Sequence, residues 1–206
     1  MRFRLILATI AIATAASAQP VGFAANIPAA DGVFQVKYAA NLNIGDSFVN
    51  FTNTGEDNGL NLCVSLYTFD PAEELISCCS CTITPNGLQS LSVLKSLISN
   101  PLTPAIPTSV VIKALVTQGS NCSAGAPSSQ LLARGMLAWG TTLHQNTSTA
   151  AATYSVTETA FSKAELSGAE FAHITQTCGF IQSNGSGFGI CKGCAAGGLG
   201  ASSSNQ

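Results

Sequence analysis

The chain has 206 residues, 46% of them hydrophobic and 9% charged, with a formal net charge of −2. Average proteins carry about 25% charged residues, so the surface here must be covered by Ser, Thr, Asn and Gly. This balance excludes disorder, which pairs low hydrophobicity with high charge, and without clustered Lys and Arg there is no case for a nucleic-acid partner.

Two early cations, Arg2 and Arg4, precede an apolar run over 5–12 and the small residues of 13–18. Ala16-Ser17-Ala18 before Gln19-Pro20 completes a signal-peptide pattern with cleavage after Ala18. The run is shorter than the roughly 20 apolar residues a membrane span needs. We expect 1–18 as signal peptide, 19–194 as one β-rich domain and 195–206, rich in Gly and Ser, as a flexible tail. Cleavage leaves six Lys/Arg against ten Asp/Glu. Secretion to the outside or the periplasm follows, with no membrane insertion afterwards.

Period-two alternation marks strands. Phe34, Val36 and Tyr38 alternate with Gln35 and Lys37, predicting one half-buried strand, and 46–54 is another candidate. Leu60, Leu62, Val64 and Leu66 share a face opposite Asn61, Cys63, Ser65 and Tyr67, predicting a second half-buried strand. The β-branched stretch 109–118 reads as a more buried strand, and 153–157 as a further one. Turn signals separate them: Asn53-Thr54-Gly55, Asp57-Asn58-Gly59, Asp70-Pro71, Pro85-Asn86-Gly87 and Asn100-Pro101. Ser162-x-x-Glu165 and Ser167-x-x-Glu170 are capping-box signatures, predicting a short helical turn after Ser162 and a helix over about 168–176. The segment 120–130 reads as loop. Short strands between turns predict a mainly β, antiparallel, sandwich-like domain of the immunoglobulin-like class, with a short C-terminal helical segment.

Eight cysteines in an exported chain predict a disulfide framework. Asn184-Gly185 is a strong two-residue hairpin signal. Counting outward pairs Ser183 with Ser186, Ile181 with Phe188, and Cys178 with Cys191 at disulfide distance. A loop at 70–74 would bring Phe69 to Leu75 and Cys63 to Cys81; a two-residue slip would select Cys79 instead. Cys78 should point to the opposite face from Cys79. Cys122 and Cys194 then share what remains, so the pairing of Cys78, Cys79, Cys122 and Cys194 stays open. The alternative is a thiolate metal site at Cys78, Cys79, Cys81 and Cys194, for which Cys191-Lys192-Gly193-Cys194 supplies a C-x-x-C. Ala195-Ala196-Gly197-Gly198 behind it makes a poor helix start for redox chemistry.

No catalytic constellation stands out. His144 and His173 sit in no metal motif, and His173 falls on the predicted helix as a surface residue. Ser92-Val93-Leu94-Lys95 matches S-x-x-K without its companion elements. Asp70, Glu73 and Glu74, and next Glu56-Asp57, are the densest acidic groups and read as solvated turns, without calcium-loop spacing. Asn50, Asn121, Asn146 and Asn184 each open an N-x-S/T glycosylation acceptor. No cofactor and no catalytic or metal residue is assigned.

Asp70-Pro71-Ala72-Glu73-Glu74-Leu75, Cys78-Cys79-Ser80-Cys81, Thr84-Pro85-Asn86-Gly87-Leu88, Trp139-Gly140-Thr141-Thr142-Leu143-His144 and Cys178-Gly179-Phe180-Ile181 with Gly187-Phe188-Gly189-Ile190-Cys191 form a distinctive set. Together they resemble a group of uncharacterised secreted bacterial proteins with no known activity. The resemblance implies bacterial export and leaves function open. The expectation is a non-enzymatic binding or structural module that associates with itself or with a cell-surface partner. The alternatives are a hydrolase using Ser92, Lys95, His144 and the acidic group, and the thiolate metal site.

Overall fold

Strand β3 (Leu62–Phe69) is buried along its whole length, not on one face as its alternation predicts, because it separates two cores. Leu62, Val64 and Leu66 face the space between two sheets, while Tyr67 and Phe69 face a helix on the outer side. The computed structural model describes residues 32–147 and 152–194; the expected signal peptide and tail lie outside them.

The strands in chain order are β1 (Phe34–Ala39), β2 (Phe48–Asn53), β3, β4 (Leu75–Ile83), β5 (Leu88–Ser92), β6 (Val110–Gln118), β7 (Met136–Asn146), β8 (Thr153–Ala160) and β9 (Ser162–Lys163). They form two antiparallel sheets, in the orders β4-β3-β6-β1-β9 and β5-β2-β7-β8. The mainly β, two-sheet sandwich expected from the alternation is present. Val49, Phe51, Leu91, Ile112 and Val116 fill the space between the sheets, and Phe51 meets Phe161 edge-on at 5.3 Å. Fully burying each such side chain contributes about 1.5–3 kcal/mol.

Helix α1 (Gly168–Asn184) covers the outer face of the five-stranded sheet. The Ser167 hydroxyl accepts a hydrogen bond from the Glu170 backbone N–H, as the capping signature requires. Ile174, Cys178 and Ile181, spaced at four and three residues, bury one stripe against Tyr67, Leu75 and Leu115.

That stripe overturns the predicted hairpin and with it the Cys178–Cys191 bridge. The helix runs eight residues past the expected end at 176, and Gly185 caps it with φ of 68°. Asn184-Gly185 is therefore a helix stop, a role that needs the same left-handed glycine as a tight turn. Cys178, on the buried stripe, pairs with Cys78 (Cα–Cα 6.0 Å), and Cys191 pairs with Cys79 (5.4 Å).

The Cys63–Cys81 pairing is also corrected. Phe69 does oppose Leu75, but a bulge follows, Thr68 opposes Ser77, and Cys63 ends opposite Thr82. One inserted residue moves every later partner by one position and to the other face. Cys63 points outward to Cys122 (5.4 Å) and Cys81 inward to Cys194 (4.7 Å). Cys78 and Cys79 do face opposite ways, one in each core.

Two smaller expectations also change. Ser162 starts no helical turn; Ser162 and Lys163 pair with Val36 and Gln35 as β9. In β1, Phe34 joins the core beneath the helix while Tyr38 is 60% exposed. Gln35 and Lys37 point between the sheets, where Gln35 Nε2 donates to the Gly32 and Met136 carbonyls. Lys37 Nζ donates to the Thr159 carbonyl at 3.3 Å and to its hydroxyl.

Candidate interaction surface

In an antiparallel sheet, residues directly opposite one another share a face. In the four-stranded sheet Thr52 opposes both Leu88 and Leu137, and Asn50 opposes both Ser90 and Trp139. Trp139, Thr141 and Leu143 in turn oppose Ala160, Glu158 and Val156. Because Val49, Phe51, Met136 and Ala138 fill the core, this other set faces away from it. The outward positions of β2, β5, β7 and β8 carry only one charge, Glu158.

The face is also apolar. Phe48, Leu88, Leu137, Tyr154 and Val156 are exposed, Trp139 is half-buried, and Ser90, Asn50, Thr52 and Thr141 lie among them. Amides and hydroxyls with an indole and aliphatic side chains make a surface that a partner desolvates at low cost.

The β7–β8 hairpin extends this face beyond the sandwich. From Thr141 onward β7 pairs only with β8, and all eight residues of β8 are exposed. The Phe161 N–H donates to the Ala138 carbonyl, which fixes the alternation of hydrogen bonds along the pair. The Gly140–Thr159, Thr142–Thr157 and His144–Ser155 pairs are then hydrogen-bonded. Tyr154, Val156 and Glu158 direct their backbone N–H and C=O groups away from β7, to an edge that no other described strand covers.

The candidate catalytic residues are not brought together. The Ser92 hydroxyl accepts from the Lys95 backbone N–H and donates to the Asp46 carboxylate. It caps the single π-turn Val93–Leu97. The Lys95 side chain instead lines a separate cleft. His144 Nε2 lies 2.9 Å from the Thr157 hydroxyl. Strand spacing puts it roughly 14 Å from Ser92, two strands across and three residues along. Asp70 Oδ1 accepts from the Ala72 and Glu74 N–H groups and shapes its own exposed turn. His173 is exposed on α1 and stacks beside Phe69.

All eight cysteines are paired, so the proposed thiolate ligands Cys78, Cys79, Cys81 and Cys194 are disulfide sulfurs here. Among the described residues no group of three His, Cys, Asp or Glu side chains could hold a metal ion. No described helix is long and apolar enough to cross a membrane.

The separate cleft, of about 850 Å³, lies beside the bridges of Cys79 and Cys81. Lys95 and Lys192 both line it, and no Asp or Glu appears among its described lining residues. The Lys192 N–H donates to the Ser96 carbonyl at 2.7 Å, which holds the two lysine-bearing segments side by side.

No family model, no curated protein and no solved structure matches this chain.

Proposed function

We propose that this protein is a secreted, non-catalytic module of bacterial origin that binds or builds through the outer face of its four-stranded sheet. The observation that carries the reading is that face: seven large hydrophobic side chains at outward positions with one carboxylate among them. Export is supported by the signal-peptide pattern over 1–18 and by four disulfides.

The test is retention of the exported protein in the cell-surface fraction of the cells that make it. Leu137→Asp and Phe48→Asp should release it to the medium, while Ser92→Ala and His144→Ala leave it bound. Equal retention of all four variants would count against the face. A hydrolytic activity abolished by Ser92→Ala or His144→Ala would establish the enzyme reading instead.

A second reading is favoured by the cleft beside the Cys79 and Cys81 bridges. Two lysines with no carboxylate among the described lining residues suit an anionic small molecule, held by charge and by the Ser80 and Ser96 hydroxyls. Titration with inorganic phosphate and with a uronic acid should show binding that Lys95→Ala with Lys192→Ala removes. No binding by the unaltered protein sinks this reading.

A further inference from the structure

Sheet edges invite pairing, and proteins blunt them with short strands, Lys, Pro, bulges or covering segments. β9 and β4 are treated in this way, and β5 is shorter than β8. β9 has two residues and β5 has five. β4 is covered, because Cys78 exchanges backbone hydrogen bonds with Gly189 and Cys191, and Leu102 donates to the Ile76 carbonyl.

β8 is the exception. Its eight residues, Thr-Tyr-Ser-Val-Thr-Glu-Thr-Ala, contain no Lys and no Pro. Its register against β7 is unbroken, and no other described strand pairs with it. The composition is strongly β-forming.

We propose that β8 is a strand-pairing site for a second copy of this chain, antiparallel and two-fold symmetric about Val156. This deepens the reading of the protein as a binding module, rests on it, and names the partner. Two-fold symmetry makes the interface isologous, so one strand must complement itself. Only residues whose N–H and C=O face the open edge can bond across it, which leaves Tyr154, Val156, Glu158 and Ala160. Two registers fit.

Centred on Val156, Val156 opposes Val156 and Tyr154 opposes Glu158. The two Glu158 carboxylates then lie four residues apart along the strands, roughly 13 Å, beyond the screening length of about 8 Å in physiological salt. Centred on Thr157, each Glu158 opposes Val156 and lies diagonal to its counterpart at about 7–8 Å, where like charges repel. The first register is favoured. It forms six backbone hydrogen bonds, from Tyr154, Val156 and Glu158, leaves Ala160 outside the ladder, and joins the two Trp139-bearing faces into one.

Sedimentation equilibrium of the oxidised, mature protein across a concentration series tests this. The unaltered chain should show a reversible monomer–dimer equilibrium. Val156→Pro removes an N–H that β7 does not use, so the hairpin should survive, as melting would verify. Losing one hydrogen bond per copy should weaken the dimer about thirtyfold. Val156→Lys, which sets a charge against itself on the axis, should also give monomer, less so at high salt.

An unaltered chain that stays monomeric to about 1 mM, or variants that dimerise as well as it does, would overturn the proposal. The two readings fail separately. A monomer still released by Leu137→Asp loses the pairing and keeps the module. A dimer that no face variant releases loses the surface role and keeps the pairing.

Discussion

Cys78 and Cys79 are neighbours on β4 whose disulfides leave the strand in opposite directions. Cys78 goes outward to Cys178 on α1 and Cys79 inward to Cys191. One strand thereby ties the covering helix and the segment after it to the same sheet.

Non-reduced peptides fragmented between Cys78 and Cys79 should show these two links, with an intact mass eight hydrogens below the reduced form. Replacing Cys78 and Cys178 together by Ala opens a loop with a sequence separation of 100. The bridge next to it already restrains that loop, so the ring released is only about 14 residues. Chain entropy then sets the loss at about 3 kcal/mol, not the nearly 5 of a free 100-residue loop. Thermal melting should fall by about 6–12 °C, and a much larger fall would show that the bridge does more than restrain the unfolded chain.

Tyr67 is fully buried, and its hydroxyl donates to the Ala124 carbonyl at 2.7 Å. Tyr67→Phe leaves that carbonyl without its donor and should cost about 1–2 kcal/mol. Burial pushes the phenol well above its ordinary value. The native state keeps this proton where the unfolded chain has lost it, so stability falls as pH rises above about 10. Denaturant melts at pH 8 and 10.5 should show the variant falling less steeply than the unaltered protein.

Asn53 is a buried polar hub. Its side chain donates to the Leu60 and Ile83 carbonyls at 2.9 and 3.0 Å and accepts from the Gly55 N–H at 2.8 Å. Asn53→Ala strands these groups and should destabilise by about 2–4 kcal/mol. Urea unfolding measures the loss; a cost under about 0.5 kcal/mol would mean that water replaces the amide.

Lys37 lies between the sheets, 7% exposed, with Thr159 as its hydrogen-bond partner. Desolvation lowers its pKa below 10.5. Between the native and unfolded values the unfolded chain binds more protons, so this lysine weakens the fold at neutral pH, and the penalty lifts as pH rises toward 10.5. Lys37→Met should stabilise by about 1 kcal/mol at pH 7, with the gain shrinking toward pH 10.5. A lower melting temperature at pH 7 would show that the Thr159 contact outweighs the desolvation.

The sequence by itself determined the class of fold, most of the strands and the start of the helix, because alternation and capping are local. It showed the β3 faces, the turn at Asp70 and the opposite orientations of Cys78 and Cys79. It left β5 and β7 unread. In β7 the run Met136-Leu137-Ala138-Trp139 is apolar on both faces, one meeting the core and the other solvent, so no alternation marks it. Three large hydrophobic side chains of the candidate surface, Leu137, Trp139 and Leu143, were hidden for that reason.

Tertiary structure alone decided the disulfides. A single bulge at Thr68 moved Cys63 off Cys81, and the buried stripe of Ile174, Cys178 and Ile181 outweighed the Asn184-Gly185 turn signal. Long-range pairing depends on register and on which face each element buries. Both are set by packing between segments up to 113 residues apart, beyond the reach of any local pattern.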